Sequence, residues 1–530
     1  MIKYFVLLTL LSLNSFCFLQ NANGEQKKKD KDTQNLILAA AVLTACVPGS
    51  NGFYMLNFET GNYECVRASL KYSNSDIDIY VQDGLESMQT EYGINKISYS
   101  SIASGFSTNI MPKLKPAIGA STDINGDKKI TVMFFVSSFE VSSGTYVAGF
   151  VDPVHFFKAE YGLESNQREI IYINGFNLAY SNQIYSKIGR PDMILSTLAH
   201  EYQHLVRFPN EMGRSGITSP IPIPETESEL NSLLNFDDTW IDEGSSEVAS
   251  DISGYGPQYE RMSCLRGDPS TGTTCLGGYN SESLFAWNSS ILDYSFAYSF
   301  MKYIYEGSGS TTDTRNSFFL ESVTGKSGGT RAGTASNLMT VFKRASSYNS
   351  SLLGSDSAGM FQKLFSVYLA KSLNYEANST PANDTQIFVG NNTALYLNSF
   401  ASVYPFSSEH TALFSYPSSI AKTTASIFEL TPSQVYRVGN TRSAGSYDSS
   451  AVYVKRGTNG GSDPLDAVIF NGSITSSTSS IITTKDRSGT VSRKSYSPGR
   501  SGLDKSCQND FLKSRFSENL VSNFRKSKKL

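Results

Sequence analysis

The stretch Leu198-Ala199-His200-Glu201-Tyr202-Gln203-His204-Leu205 restricts this chain more than any other. Its flanks are apolar and uncharged, which suits a buried helix. On that helix His200 and His204 stand at i and i+4, one turn apart on one face, so both imidazoles can reach a single metal ion. Glu201, beside the first imidazole, is placed to take a proton from a metal-activated water as that water attacks a carbonyl. The chain holds only 4 histidines in 530 residues. Such a motif arises by accident on the order of once in a thousand chains of this kind, so a helix with two incidental histidines is the weaker reading.

A second string supports the first. In Trp240-Ile241-Asp242-Glu243-Gly244-Ser245-Ser246-Glu247-Val248 and onward to Asp251, helical spacing gathers Ile241, Ser245, Val248 and Ile252 on one face. It gathers Glu243 and Glu247 on another. Glu243 is the natural third ligand, giving a His-His-Glu set with an open fourth position, as catalytic zinc (Zn2+) requires. Glu247 is then placed to accept the second N–H of His200 and orient that ring. Asp242 or Glu247 as the ligand in place of Glu243 remains an alternative, and an acidic solvated face is the bland one. Trp240 reads as a packing residue.

H-E-x-x-H at 200–204 followed by W-x-x-E-G-x-x-E at 240–247 resembles the gluzincin metallopeptidases. More narrowly it resembles the hyicolysin family, secreted bacterial zinc peptidases known as peptidase family M30. Asp123-Ile124-Asn125-Gly126-Asp127, the run Ile130–Val136, Ala148-Gly149-Phe150-Val151-Asp152, Ile170–Asn174 and Asp293–Tyr298 match in order, so the resemblance spans about 75–305 and extends toward 375. It implies a zinc endopeptidase acting on protein or peptide substrates. His200, His204 and Glu243 would be its ligands and Glu201 its base. A gluzincin also usually brings a Tyr or His from a later helix to the oxyanion. The only later histidine is His410, in a β-rich region, which leaves Tyr294 and Tyr298 as the candidates. Substrate preference does not carry over, because the stretch Pro209–Phe236 reads as a long, Pro-rich loop.

The N-terminus reads as an export signal. Lys3, the apolar run Phe5–Leu11 and Ala22-Asn23-Gly24 make a signal peptide over 1–24, and the run is short for a membrane span. Residues 25–50 read as a tether. Within it Leu43-Thr44-Ala45-Cys46 resembles a bacterial lipobox, whose acylation would fix the chain to an outer membrane surface. An ordinary cysteine in an apolar linker is the other reading. Cys264 and Cys275 could close a short loop disulfide; Cys65 could pair with Cys507 or, if Cys46 carries no lipid, with Cys46. Lys and Arg number 45 against 48 Asp and Glu, and the net charge of −3 argues against nucleic acid as a partner. Only 18% of residues are charged and 12% are aromatic, which excludes a highly charged disordered chain. The expected location is exported, either secreted or on the cell surface. The oligomeric state is not legible.

The expected architecture is α+β. A zincin-like metallopeptidase domain has a mixed sheet at 51–190 and a helical part at 191–375 carrying the H-E-x-x-H helix. An all-β, sandwich-like domain follows at 376–508, then a helix and basic tail at 509–530. Alternation in Ile77–Val81 predicts a half-buried strand, and the continuous runs Ile130–Val136 and Glu169–Asn174 predict buried ones. Pro191-Asp192 should open one helix and Asp237, Asp238 or Thr239 cap another. Asp123, Asn125 and Asp127 occupy positions 1, 3 and 5 of a calcium (Ca2+) loop. Lys128 stands where such a loop needs Gly and Phe134 where it needs Glu, so a turn is the preferred reading. His155 reads as structural. The rival to a peptidase is a catalytically silent surface adhesin or binding protein on a peptidase-like domain; the intact Glu201 counts against it, since holding a metal needs no base.

Overall fold

A computed structural model describes most of residues 51–375, omitting 137–145, 161, 186–191 and most of 266–281. It also describes Cys46, a set of strands with a few neighbouring positions between 386 and 495, and residues 509–528. The chain is a mixed α+β protein. β1 (Gly52–Asn57), β2 (Asn62–Ser73), β3 (Ile77–Gln82), β4 (Ile130–Phe135), β5 (Gly149–Phe150) and β6 (Ile170–Asn174) form one sheet in the order β1-β2-β3-β4-β6-β5. β3, β4 and β6 run parallel; β1, β2 and β5 pair antiparallel with their neighbours. β4 and β6 are buried at every residue, as their unbroken apolar runs require, whereas β3 alternates buried and half-buried positions. The two-residue β5 closes the sheet edge nearest the candidate site.

Four helices carry the site: α1 (Met193–Glu211), α2 (Thr239–Ser253), α3 (Tyr259–Leu265) and α4 (Ile291–Gly307). The α1 cap is Asp192, whose carboxylate accepts from the N–H groups of Ile194 at 2.9 Å and Leu195 at 3.2 Å. α1 also runs through Pro209 to Glu211, where a loop was expected. There Pro209 gives up a helical hydrogen bond and crowds the carbonyl four residues back, and the helix ends two residues later. Asp238 precedes α2 but makes no side-chain cap bond to it; its Oδ2 accepts from Ala335 N instead. The Pro-rich stretch hides a short helix, Glu227–Leu233, started by a reciprocal Thr226–Glu229 capping box. α4 begins with another, between Ser290 and Asp293. α2 and α4 pack so closely at Gly244 that a Cβ there would stand 2.7 Å from Met301 Cγ and 2.8 Å from the Ala297 carbonyl oxygen.

Two disulfides lie within the described residues. Cys264–Cys275 forms as its short loop suggests, and Cys46 pairs with Cys65 on β2. The second is the pairing open to Cys46 if it carries no lipid, and it uses the sulfur that the acylation reading needs. Residues 1–45, with the signal-peptide reading, lie outside the described residues. No helix among the described residues is long and apolar enough to cross a membrane.

Beyond 375 the strands form two sheets. A five-stranded antiparallel sheet orders Val435–Val438, Ala467–Asn471, Ala451–Lys455, Gln386–Val389 and Asn392–Tyr396. A four-stranded sheet orders Ser443–Tyr447, Ser480–Lys485, Ser426–Leu430 and Ser492–Ser495, the last pair parallel. Ser443–Tyr447 and Ser492–Ser495 are polar enough to escape a hydrophobic-pattern reading.

The chain then returns to the first sheet through α5 (Asn509–Ser527). Its Leu512 joins a cluster with Phe53, Met55 and Phe150, while Phe516, Leu520 and Phe524 enter the main core. The Phe516 ring lies 5.2 Å from Phe157 and 6.0 Å from Phe236, and Arg515 donates to the Gly61 carbonyl at the β1–β2 turn.

Candidate metal centre

α1 presents His200 and His204, and α2, packed across it, presents Glu243. Among the described residues these are the three that could together hold a metal ion. His200 Nε2 stands 3.1 Å from Glu243 Oε2 and 3.2 Å from His204 Nε2, and His204 Nε2 stands 3.5 Å from Glu243 Oε2. Ligands at about 2.0–2.1 Å from a tetrahedral zinc are separated by roughly 3.3–3.4 Å. The three separations bracket that edge, so one ion can touch all three atoms without moving any element. His200 is 4% exposed, His204 3% and Glu243 0%. Glu243 Oε1 is buried with no hydrogen-bond partner in the protein, a cost that a bound cation offsets.

The surrounding field favours a cation. Burial pushes the His200 pKa down, but its hydrogen bond to Glu243 and the charges of Glu247 and Glu201 outweigh this and raise it. For His204, burial is outweighed by Asp242 and Glu243, and the pKa rises well above its ordinary value. Burial pushes Glu243 up; the two imidazoles win and hold it below its ordinary range.

Each ring has an outer partner. Asp242 Oδ1 lies 3.1 Å from His204 Nδ1, on the side of the ring away from Glu243 and outside the group that could hold an ion. Glu247 Oε1 lies 3.8 Å from His200 Nδ1, near the expected place but beyond hydrogen-bond reach. Arg261 on α3 grips that same oxygen through Nε at 2.9 Å and Nη2 at 2.8 Å. Ser246 Oγ donates to Gln203 Oε1 at 2.5 Å and lies 3.2 Å from His204 Nε2.

Glu201 is 1% exposed on α1, against β5. Behind His204 lies a buried ionic cluster. Arg207 Nε donates to Asp237 Oδ2 at 2.8 Å and Nη2 to the Ala332 carbonyl at 2.9 Å; Arg331 also pairs with Asp237. Lys513, from α5, reaches Asp242 Oδ2 at 2.9 Å and Glu211 Oε1 at 3.3 Å. Burial pushes Asp242 up, but Lys513 and then His204 hold it well below the usual carboxylate range. Burial raises Glu211 to about 8 despite Lys513.

The two tyrosines diverge. The Tyr298 hydroxyl donates to Asp251 Oδ2 at 2.7 Å and accepts from the Gln258 N–H at 3.0 Å. It is committed to that pair, whose carboxylate also takes Lys302. The Tyr294 ring packs 5.0 Å from Trp287 and carries the Arg261 guanidinium at 5.0 Å, so it joins the site through Arg261 and Glu247. At Asp123–Asp127 the loop closes on its own oxygens. Asp123 Oδ1 accepts from Lys128 N, Asn125 Oδ1 from Asp127 N and Asp127 Oδ1 from Lys129 N. The turn reading accounts for all three residues and calcium has no support. His155 is buried with Tyr172 and Asn166 in a polar network away from the metal cluster.

Sequence reasoning missed Lys513, Arg207 and Arg261, and offered Asp237 only as a helix cap, not as a partner of Arg207 and Arg331. Lys513 alone left a readable sign: it sits three residues before Phe516 and seven before Leu520, inside the apolar stripe of its helix.

No family model matches this chain. Neutral metalloprotease ShpI of Staphylococcus hyicus is 23% identical to it over 259 residues, covering 48% of this chain and 50% of that protein. The chain spans about half the length of this curated relative. The relationship is distant, and it agrees with the metallopeptidase resemblance carried by the residues at 200–204 and 240–247.

Proposed function

We propose that this protein is a zinc-dependent metalloendopeptidase of the gluzincin type, with His200, His204 and Glu243 as ligands. The observation that carries the reading is the buried triangle of two Nε2 atoms and one Oε2 at 3.1, 3.2 and 3.5 Å. The distant metalloprotease relative supports the reaction class. On this reading the sheet and the α1–α2 pair are a zincin-like core, and the two C-terminal sheets form a sandwich-like accessory domain. The export signature at 1–24 and two disulfides fit an oxidising location outside the cytoplasm.

Zinc, when bound, supplies Lewis acidity toward water and the scissile carbonyl. The chain's residues do the rest. Glu201 takes a proton from the attacking water as its oxygen bonds to the carbonyl carbon, then passes that proton to the leaving nitrogen as the C–N bond breaks. Asp242 holds the His204 ring, and Arg261 holds Glu247 beside His200. Of the two tyrosines, Tyr294 is the one tied to the site, through its ring contact with Arg261.

Casein cleavage by the zinc-loaded protein tests the reading. A chelator should abolish cleavage and zinc should restore it. Glu201→Gln should bind zinc normally and lose about a thousandfold in rate. Equal, chelator-insensitive activity in both proteins would sink the mechanism. Zinc binding without cleavage by the mature protein would favour the binding-protein rival.

A further inference from the structure

Lys513 is 5% exposed, on a helix that follows Asp242 by 271 residues. Its stem crosses the rings of Phe208 and Phe236, with Nζ 5.4 and 5.2 Å from their centroids. Burying an ammonium group is costly unless it is paired, and this one is paired twice, with Asp242 Oδ2 at 2.9 Å and Glu211 Oε1 at 3.3 Å. Asp242 then uses its other oxygen, Oδ1, on His204 Nδ1 at 3.1 Å. The competing cation, Arg207, stands 3.5 Å from that same Oδ1 while bonded to Asp237 and Ala332. Without Lys513, Oδ2 would lose its ammonium contact, and the carboxylate would be drawn more strongly toward Arg207, away from the ring.

We propose that Lys513 is a positioning residue for the metal centre. It pins Asp242 so that Oδ1 faces His204 Nδ1, which aims His204 Nε2 at the point shared with His200 Nε2 and Glu243 Oε2. The inference rests on the zinc reading of that triangle. It makes α5, whose Lys513 lies 271 residues beyond Asp242, part of the site's support. Outer partners of metal-binding imidazoles fix ring orientation and basicity, and losing one costs about 10–100-fold in metal affinity.

The test measures zinc affinity of the full-length protein by competition with a fluorescent chelator, alongside thermal melting of the zinc-free form. Lys513→Met should weaken zinc binding about tenfold, and Lys513→Arg should stay within about threefold of wild type. Asp242→Asn should weaken binding, and adding Lys513→Met to it should weaken binding no further. Leu520→Ala, on the same helix but outside the ionic cluster, should lower the melting temperature and leave zinc affinity unchanged. Lys513→Gln, with the same expected loss, replaces the methionine variant if that does not fold. Wild-type affinity in Lys513→Met or its replacement overturns the proposal. An equal loss of affinity in Leu520→Ala also overturns it, because general destabilisation would then account for the effect. Absence of zinc binding by the wild type refutes the zinc reading itself.

Discussion

A methyl group on Gly149 would lie 3.0 Å from Glu201 Cγ. The same methyl would lie 2.9 Å from Thr197 Cγ2 and 3.0 Å from the Tyr172 carbonyl oxygen, so β5 meets α1 with no space for a side chain. Gly149→Ala must therefore displace either the edge strand or the proposed base. A misplacement of about 1 Å at the reacting groups can cost roughly a hundredfold. The expected result is a loss of that order in kcat/KM for casein, with zinc affinity kept because the three ligands are untouched. Unchanged kcat/KM would show that Glu201 does not depend on this contact.

Tyr298 has its hydroxyl committed to Asp251 and Gln258. Tyr298→Phe strips the Gln258 N–H of its acceptor and should cost about 1–2 kcal/mol of stability, read by denaturant unfolding. Its effect on kcat should fall far short of the roughly hundredfold that loss of an oxyanion donor brings. A hundredfold drop in kcat at unchanged stability would return Tyr298 to the catalytic site.

His155 provides a pH test. Burial, helped by the Arg168 charge, lowers its pKa to about 3. Below its ordinary pKa the unfolded chain takes up a proton that the folded protein refuses, so stability is lost as pH falls from about 6.5 toward 3. Neighbouring Asp152, raised to about 6 by burial, has the opposite slope from its ordinary range up to pH 6. The comparison is therefore between wild type and His155→Gln. Between pH 6.5 and pH 4 the wild type should lose roughly 3 kcal/mol more than the variant. Parallel stability curves would mean that His155 is protonated in the folded protein.

Cys46 has two competing fates, the disulfide to Cys65 and a lipid thioether, and one experiment separates them. Peptide mapping of the unreduced exported protein should recover residues 46 and 65 cross-linked, and fatty-acid labelling should leave Cys46 unmarked. Replacing both cysteines by serine should cost about 3 kcal/mol. A diacylglyceryl adduct on Cys46 would remove this disulfide from the mature protein.

The half of the site that lies within one helix turn was readable. Spacing alone places His200 beside His204 and Glu243 beside Glu247, because helix geometry converts sequence distance into direction. The two fully buried strands, β4 and β6, were equally plain, since a strand covered on both faces needs an unbroken apolar run, and alternation marked β3 as half-buried. Contacts between elements were not. Asp242 and Glu243 are adjacent in sequence, and only the docking of α2 on α1 determines which meets His204 Nδ1 and which meets Nε2. Arg261 reaches Glu247 from a separate helix. Pro209 suggests a break that the last turn of α1 tolerates, which brings Glu211 into the ionic cluster. Lys513 sits in the apolar stripe of its helix, but its partners Asp242 and Glu211 emerge only when that helix is laid against Phe208 and Phe236.

The return of α5 to the first sheet also orders events in time. A chain made from its N-terminus acquires His200, His204, Glu243 and Asp242 long before it acquires Lys513, 271 residues later than Asp242. While synthesis is under way the Asp242 carboxylate has Arg207 and His204 for company but not its ammonium partner. The support around His204 closes only after the helix that carries Lys513 has been made and has docked, so the growing chain carries all the ligands before it carries the finished centre.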